Sequence, residues 1–293
     1  MEDGASYAPV WFEGRPWDPV RFHTPAPGET LRIGVLGDSG FGQAATYHLA
    51  GLMATYELDA VIHTGDLVYN IQDEGDPFAA YAVKWYLPLA PILHQGPVYP
   101  VVGNHDLDTA AFWEGLPFYY RAFPPLPGAG PASRRQWYAI SFGDIQFVLL
   151  DTQVFFGEDG GPEQLSWLVD RLTDPAYRFT ILVMHVPPYS NGLHPSDGSS
   201  VQSWVPLFEV NHVPLVLSGH DHNYQRLVVN GVTYVISGGG SAVLYDQTQT
   251  LPGSQVFARQ THFVLLEIAD PHIRLTAVGV DGIVLDQVDV PFP

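Results

Sequence analysis

The sequence predicts an α/β fold, and three observations predict it. Short apolar runs recur along the chain, each closing on Gly-Asp, Gly-Asn-His or His. Stretches with apolar residues at helical spacing lie between them. Three further stretches read as hairpins about Gly143-Asp144, Asn230-Gly231 and Asp281-Gly282. Strands alternating with helices imply crossover units and a largely parallel central sheet. The hairpins imply a second group of strands, antiparallel or mixed.

The elements follow in chain order. Residues 1–29 are rich in Pro, Gly and aromatics without periodicity, and are expected as an N-terminal arm packed along the surface. Leu31 to Leu36 is a buried strand running into Gly37-Asp38. Ala45, Leu49, Leu52, Met53 and Tyr56 then form one apolar helical face. DAVIHTGD is a strand ending at Asp66, and VYPVVGNHD one ending at Asn104-His105. FTILVMHVPP ends at His185, and PLVLSGHDH at His220 and His222. Helices are expected over Phe78 to Leu89, Pro162 to Leu172 and Val201 to Val210. No linker, repeat or low-complexity stretch divides residues 1–293, so one compact domain is expected.

Composition narrows the function. Hydrophobic residues make up 46% and charged residues 15%, enough apolar material for a substantial core. The formal net charge of -19 repels nucleic acid over most of the surface. A pocket of multivalent cations would reverse that sign locally, so an anionic substrate stays open. The absence of cysteine excludes disulfides and thiolate ligands. No apolar run has the roughly 18 residues of a membrane span, and the N-terminus lacks the pattern of a signal peptide. The chain is therefore expected either in the cytoplasm or outside it after loss of a leader.

The chemistry lies at the strand ends. Asp38, Asp66, Asn104, His185, His220 and His222 each follow an apolar run. Such residues are ligands for hard or borderline cations. Singly, each has an ordinary reading: a Gly-Asp turn, a capping Asn, a core histidine. Five strands that end this way, with sites in such sheets forming at the carboxyl ends of strands, place the donors around one hollow.

The ordered set GDSG, GDLVY, GNHD, VMH and GHDH resembles the calcineurin-like metallophosphoesterases, and among them the purple acid phosphatases. The resemblance implies a four-layer αββα sandwich with two mixed sheets and a single catalytic domain. Only some thirty residues precede the first motif, which looks like the compact form without the N-terminal β-sandwich of plant members. Many of the superfamily begin with Asp-x-His, whereas here Gly40 stands at the His position. In purple acid phosphatases Tyr69 of GDLVY supplies the missing ligand; its ordinary reading is a packed loop aromatic.

The resemblance then implies a ligand set. One metal takes Asp38, Tyr69, His222 and a bridging Asp66. The other takes Asn104, His185, His220 and the same Asp66. The implied cofactors are Fe(III) with a second divalent metal, Fe, Zn or Mn. His105 would bind the phosphate or protonate the leaving alkoxide. His194, on the loop after His185, would face substrate. The remaining seven histidines match no motif position. Asp221 is expected to point away from the metals, and Asp106 to orient a histidine. The implied reaction is hydrolysis of phosphate monoesters of small molecules by a metal-bound hydroxide, in acid. A bound metal can bring the pKa of water down to about 7. Exported members predominate in the family, which favours an extracellular or periplasmic site. Two other functions remain open: a Zn or Mn phosphodiesterase, and a non-catalytic metal-binding protein. Substrate choice is expected to rest on the loops Gln72 to Pro77, Leu107 to Pro131 and Phe155 to Gly161. Oligomeric state is not legible.

Overall fold

The computed structural model describes residues 11–12, 15–16, 28–107, 119, 137–153, 161–194 and 200–293. Most of the expected arm, and nearly all of the loops 107–131 and 155–161, lie outside the described residues. Within the arm, β1 (Trp11–Phe12) pairs antiparallel with β2 (Arg15–Pro16).

Two sheets carry the fold. One has six strands in the order β15-β14-β13-β3-β4-β5. These are β3 (Leu31–Leu36), β4 (Ala60–His63), β5 (Val98–Pro100), β13 (His262–Ala269), β14 (His272–Gly279) and β15 (Val284–Pro291). The other has seven, in the order β12-β10-β11-β9-β8-β7-β6. These are β6 (Tyr138–Phe142), β7 (Ile145–Leu149), β8 (Phe179–Val183), β9 (Leu215–Ser218), β10 (Tyr224–Val229), β11 (Val232–Ser237) and β12 (Ser254–Ala258). Each sheet has a parallel run, β3-β4-β5 along one side of the first and β7-β8-β9-β11 through the middle of the second. Antiparallel strands extend both.

Side-chain alternation builds the layers, because successive strand residues point to opposite faces. Ile33, Val35, Ile62, Val264 and Leu266 of the first sheet meet Phe147, Ile181, Val183 and Leu217 of the second in one core. Val61 and Leu265 face the other way, onto Leu49, Met53, Trp85 and Leu89. Val148, Leu182 and Val216 face outward onto Leu168 and Phe208. Helices α1 (Ala44–Met53), α2 (Pro77–Tyr81) and α3 (Leu87–Leu93) cover the first sheet. Helices α4 (Gly161–Leu172) and α5 (Val205–Val210) cover the second. The result is the four-layer αββα sandwich, a mixed α/β fold with two mixed sheets.

Two expectations change. The hairpins do not form a separate group of strands. Their antiparallel strands flank the parallel strands of both sheets, where they find open edges to pair with. The helix expected over Phe78 to Leu89 runs from Pro77 to Leu93, with a π-helical stretch over Ala82–Tyr86 between α2 and α3. Pro88 at the start of α3 brings no N–H back to Lys84 O, so the regular bonding is interrupted over the preceding turn. The Leu87 N–H bonds back to Ala82 O, closing the wider turn. Among the described residues no helix is long and apolar enough to cross a membrane.

Candidate metal centre

Both sheets deliver residues to one place. Asp38, Asp66 and Asn104 follow β3, β4 and β5 of the first sheet, and His185, His220 and His222 follow β8 and β9 of the second. The sequence reading put all the strand ends on one edge of one sheet. They sit instead where the carboxyl edges of two facing sheets adjoin.

Asp38, Asp66, Asn104 and His220 each follow a glycine, and the glycines at 65, 103 and 219 have a spatial reason. A Cβ on Gly65 would lie 2.5 Å from His185 Nδ1, and one on Gly219 would lie 2.5 Å from Asp38 Oδ2. A Cβ on Gly103 would overlap the Asp66 carboxylate. Each glycine thus makes room for a donor arriving from another loop. Asp38 (φ 59°), Asp66 (φ 55°) and His220 (φ 69°) themselves occupy the left-handed region, unusual for residues with side chains. Such strain costs on the order of 1–3 kcal/mol per residue and persists where surrounding contacts enforce it.

Nine side chains singled out in the sequence gather here. Tyr69 Oη lies 2.8 Å from His222 Nε2, 2.9 Å from Asp66 Oδ2 and 3.2 Å from Asp38 Oδ1. A phenol has one hydrogen, so it satisfies one of these three at a time. His185 Nε2 lies 3.0 Å from Asn104 Oδ1, 3.2 Å from His220 Nδ1 and 3.5 Å from Asp66 Oδ1. His105 packs on Tyr69 with ring centroids 4.4 Å apart. His194, exposed, lies 4.3 Å from His220 by the same measure.

Backbone carbonyls set the histidine tautomers. His185 Nδ1 donates to Thr64 O at 2.8 Å, and His222 Nδ1 to Val243 O at 2.9 Å. That leaves both Nε2 lone pairs aimed into the cluster. A second contact orienting each imidazole is the arrangement metal ligands use. Two groups have donor atoms mutually within 4.8 Å: Asp38, Asp66 and His222, and Asp66, His185 and His220. They share Asp66. Acceptors thus converge on two points joined by one carboxylate, which fits a pair of cations.

Charge argues the same way. Asp38 and Asp66 are buried together, and their partners are a phenol, imidazoles and backbone N–H groups. Burial pushes the Asp38 carboxyl up, against the pull of His222. Burial also acts upward on Asp66, but His185 and His105 outweigh it and hold this carboxyl below the usual range. Burial and the two carboxylates push the Tyr69 phenol well up. Burial, with His185 and His194 beside it, pushes His220 well down. These shifts describe the protein alone; a cation would favour carboxylate, phenolate and neutral imidazole together.

Asp106 does not orient a histidine. Its buried carboxylate accepts from the N–H groups of Leu67 (2.8 Å), Gly103 (2.8 Å), Asp66 (3.1 Å) and Val68 (3.3 Å). It ties the Asp66 loop to the Asn104 loop. Asp221 points away as expected, accepting from the Ser190 hydroxyl and, at 3.0 Å, from the His194 N–H. Gly40 lies against the next loop: a Cβ there would overlap the Leu67 carbonyl and stand 2.5 Å from Val68 N. The backbone that brings Tyr69 in therefore occupies the place of a side chain at position 40.

Two residues of the site had no motif to announce them. Phe41 stacks on Tyr69 with centroids 3.8 Å apart, and Tyr245 stacks on His222 at 4.1 Å. Phe41 adjoins GDSG and could have been found from that. Tyr245 arrives on an irregular stretch after β11, and only the fold brings it here.

This fold and this cluster define a class, and comparison with known proteins agrees. Residues 31–224 match the model of the calcineurin-like phosphoesterase family. The chain belongs to the calcineurin-like phosphoesterase family, a family of phosphate-ester hydrolases. Its likenesses within the family include acid phosphatases. Mouse tartrate-resistant acid phosphatase type 5 is 27% identical over 77% of this chain and 77% of its own length. A nucleotide pyrophosphatase/phosphodiesterase of Hordeum vulgare is 27% identical over 80% of this chain and 75% of its own. A solved purple acid phosphatase from yellow lupin seeds shares the fold, with a TM-score of 0.74 at 20% identity. That likeness covers 92% of this chain and 55% of the lupin chain.

Proposed function

We propose that this protein is a purple-type acid phosphatase, hydrolysing small phosphate monoesters with two metal ions. The observation that carries this reading is Tyr69: its oxygen sits among Asp38, Asp66 and His222 while Gly40 supplies no side chain. A phenolate is a hard oxygen donor suited to Fe(III). In this reading Asp38, Tyr69, His222 and Asp66 hold the ferric ion. Asn104, His185, His220 and Asp66 hold a divalent one, Fe, Zn or Mn.

Two such cations would supply charge against the phosphate oxygens and acidify water. The chain's own groups do the rest. Asp38, Asp66 and phenolate Tyr69 offset most of the cationic charge and leave a remainder that attracts phosphate. Thr64 O and Val243 O keep His185 and His222 in the tautomers that present Nε2. His105 lies beside Tyr69 and His194 beside His220, so an imidazole is available over either half of the site. As an imidazolium, His105 would hydrogen-bond the phosphate or protonate the departing alkoxide. His194 would contact the phosphate from the other side.

The test is elemental analysis with a visible spectrum of purified protein. About two metals per chain, iron included, with a broad band that disappears in Tyr69→Phe, is the expected result. Two metals without that band would remove the ferric-tyrosinate assignment and keep a phosphoesterase. Failure to bind iron, zinc or manganese would remove the metal reading altogether. The barley relative's name favours one other reading, a phosphodiesterase. Rates on p-nitrophenyl phosphate against its bis-ester separate the two.

A further inference from the structure

Lys84 is the unusual group next to this site. It is a buried lysine, in the π-helical stretch Ala82–Tyr86 that opens the helix over Pro77–Leu93. Its ammonium donates to Tyr69 O at 2.9 Å and to Asn70 O at 3.2 Å. Asp73, at 3.5 Å, and Glu74, at 3.9 Å, complete its surroundings. Burying a lysine is costly unless its charge is paired and its donors are used. Here they are spent on the backbone that carries Tyr69.

The rest of Tyr69 is held as closely. Its N–H donates to Gly40 O at 2.9 Å, so both of its peptide groups are held. Phe41 covers its ring. Asn70, next along, has a φ of 48°, which turns the chain away after Tyr69 and presents both carbonyls to the ammonium. The helix geometry matters too: wide π turns often mark functional positions, because they re-aim a side chain without ending the helix.

We propose that Lys84 is a positioning residue for Tyr69. By fixing the carbonyls of residues 69 and 70 it sets where the phenol oxygen lies relative to Asp38, Asp66 and His222. The claim about position concerns the protein alone; its consequence for iron rests on the ferric-tyrosinate reading above. Without the ammonium, Tyr69 O loses its donor, Asn70 O keeps only the Asp73 N–H at 3.0 Å, and the 69–73 turn loses its tether to the helix. Tyr69 then swings out by rotation of its peptide.

The test compares crystal structures of metal-free wild type, Lys84→Met and Lys84→Arg. Methionine keeps the length of the stem and removes every donor, whereas arginine keeps the charge and donors. In Lys84→Met the Tyr69 oxygen should leave hydrogen-bond range of at least two of its three partners, and in Lys84→Arg it should stay. Iron binding should weaken roughly 10–100-fold in Lys84→Met, the usual effect of losing a group that orients a ligand, and the visible band should shift or fade. An unmoved Tyr69 in Lys84→Met would overturn the proposal, even if that variant melted earlier. A wild-type protein without the band would sink the ferric-tyrosinate reading, while the crystallographic comparison still decides the role of Lys84. If Lys84→Met does not fold, Lys84→Gln, shorter and neutral, replaces it with the same expected displacement.

Discussion

His262 should make the fold sensitive to acid through a route separate from the metal centre. It opens β13, fully buried, against the SGGG stretch: a Cβ on Gly239 would overlap its imidazole. Its Nδ1 donates to Gln260 O at 2.8 Å, and its Nε2 lies 3.3 Å from the Ser237 hydroxyl, whose one hydrogen is shared between this nitrogen and Val35 O. Burial pushes its pKa down to about 4 from the ordinary 6.5. The unfolded chain therefore takes up a proton on His262 as pH falls below 6.5, while the folded protein resists until about pH 4. Stability is full above pH 6.5 and is lost through that window. Each pH unit crossed costs about 1.4 kcal/mol, so going from pH 7 to pH 5 should cost about 2 kcal/mol from this residue. His262→Gln retains an amide donor and acceptor but does not titrate. Urea denaturation of metal-free wild type and His262→Gln at both pH values isolates the effect, since the carboxylate cluster is common to both. The wild type should lose about 2 kcal/mol more than the variant. Equal losses would refute the argument and mean that the ring protonates in place or is hydrated.

Three further outcomes follow from the site. Gly40→Ala forces a methyl against the Leu67–Val68 backbone and should cost about 1–3 kcal/mol, read as a lower melting temperature; an unchanged melting temperature would mean the two loops part freely. Asp106→Asn puts an NH2 group where two N–H groups now find an oxygen, at about 1–3 kcal/mol for each orphaned donor. Metal titration should then show roughly 10–100-fold weaker binding, and wild-type affinity would show that Asp106 only joins the loops. Asn104→Ala should lower occupancy of the second metal and phosphatase activity together, and full activity after metal loss would sink that assignment.

Much of the fold was legible because its signals are local. A buried strand is a short apolar run, a hairpin turn is Asn-Gly or Asp-Gly, and both lie within a few consecutive residues. The strand β13 escaped notice although HFVLLEIA is as apolar as β3. It pairs with β3 from more than 200 residues away and sits at the centre of its sheet, and nothing near it marks that partner. Which of the two expected sheets each strand joins was hidden for the same reason. The inner strands of both sheets present one face to the shared core and the other to helices, so periodicity alone gives no sheet membership.

The site divides along similar lines. The sequence by itself determined which side chains stand at the strand ends and in what order, because a motif such as GNHD or GHDH holds its Gly and its donor in adjacent positions. It also marked Gly40 and Tyr69 as a linked departure from Asp-x-His. Only the tertiary structure decided that residues from two sheets face one another and that Asp106 binds loops rather than a histidine. It alone brought Lys84 beneath Tyr69 and Tyr245 beside His222. The reason is physical: a side chain's chemical type is a property of one residue, whereas a distance between loops is set by the packing of the whole core behind them.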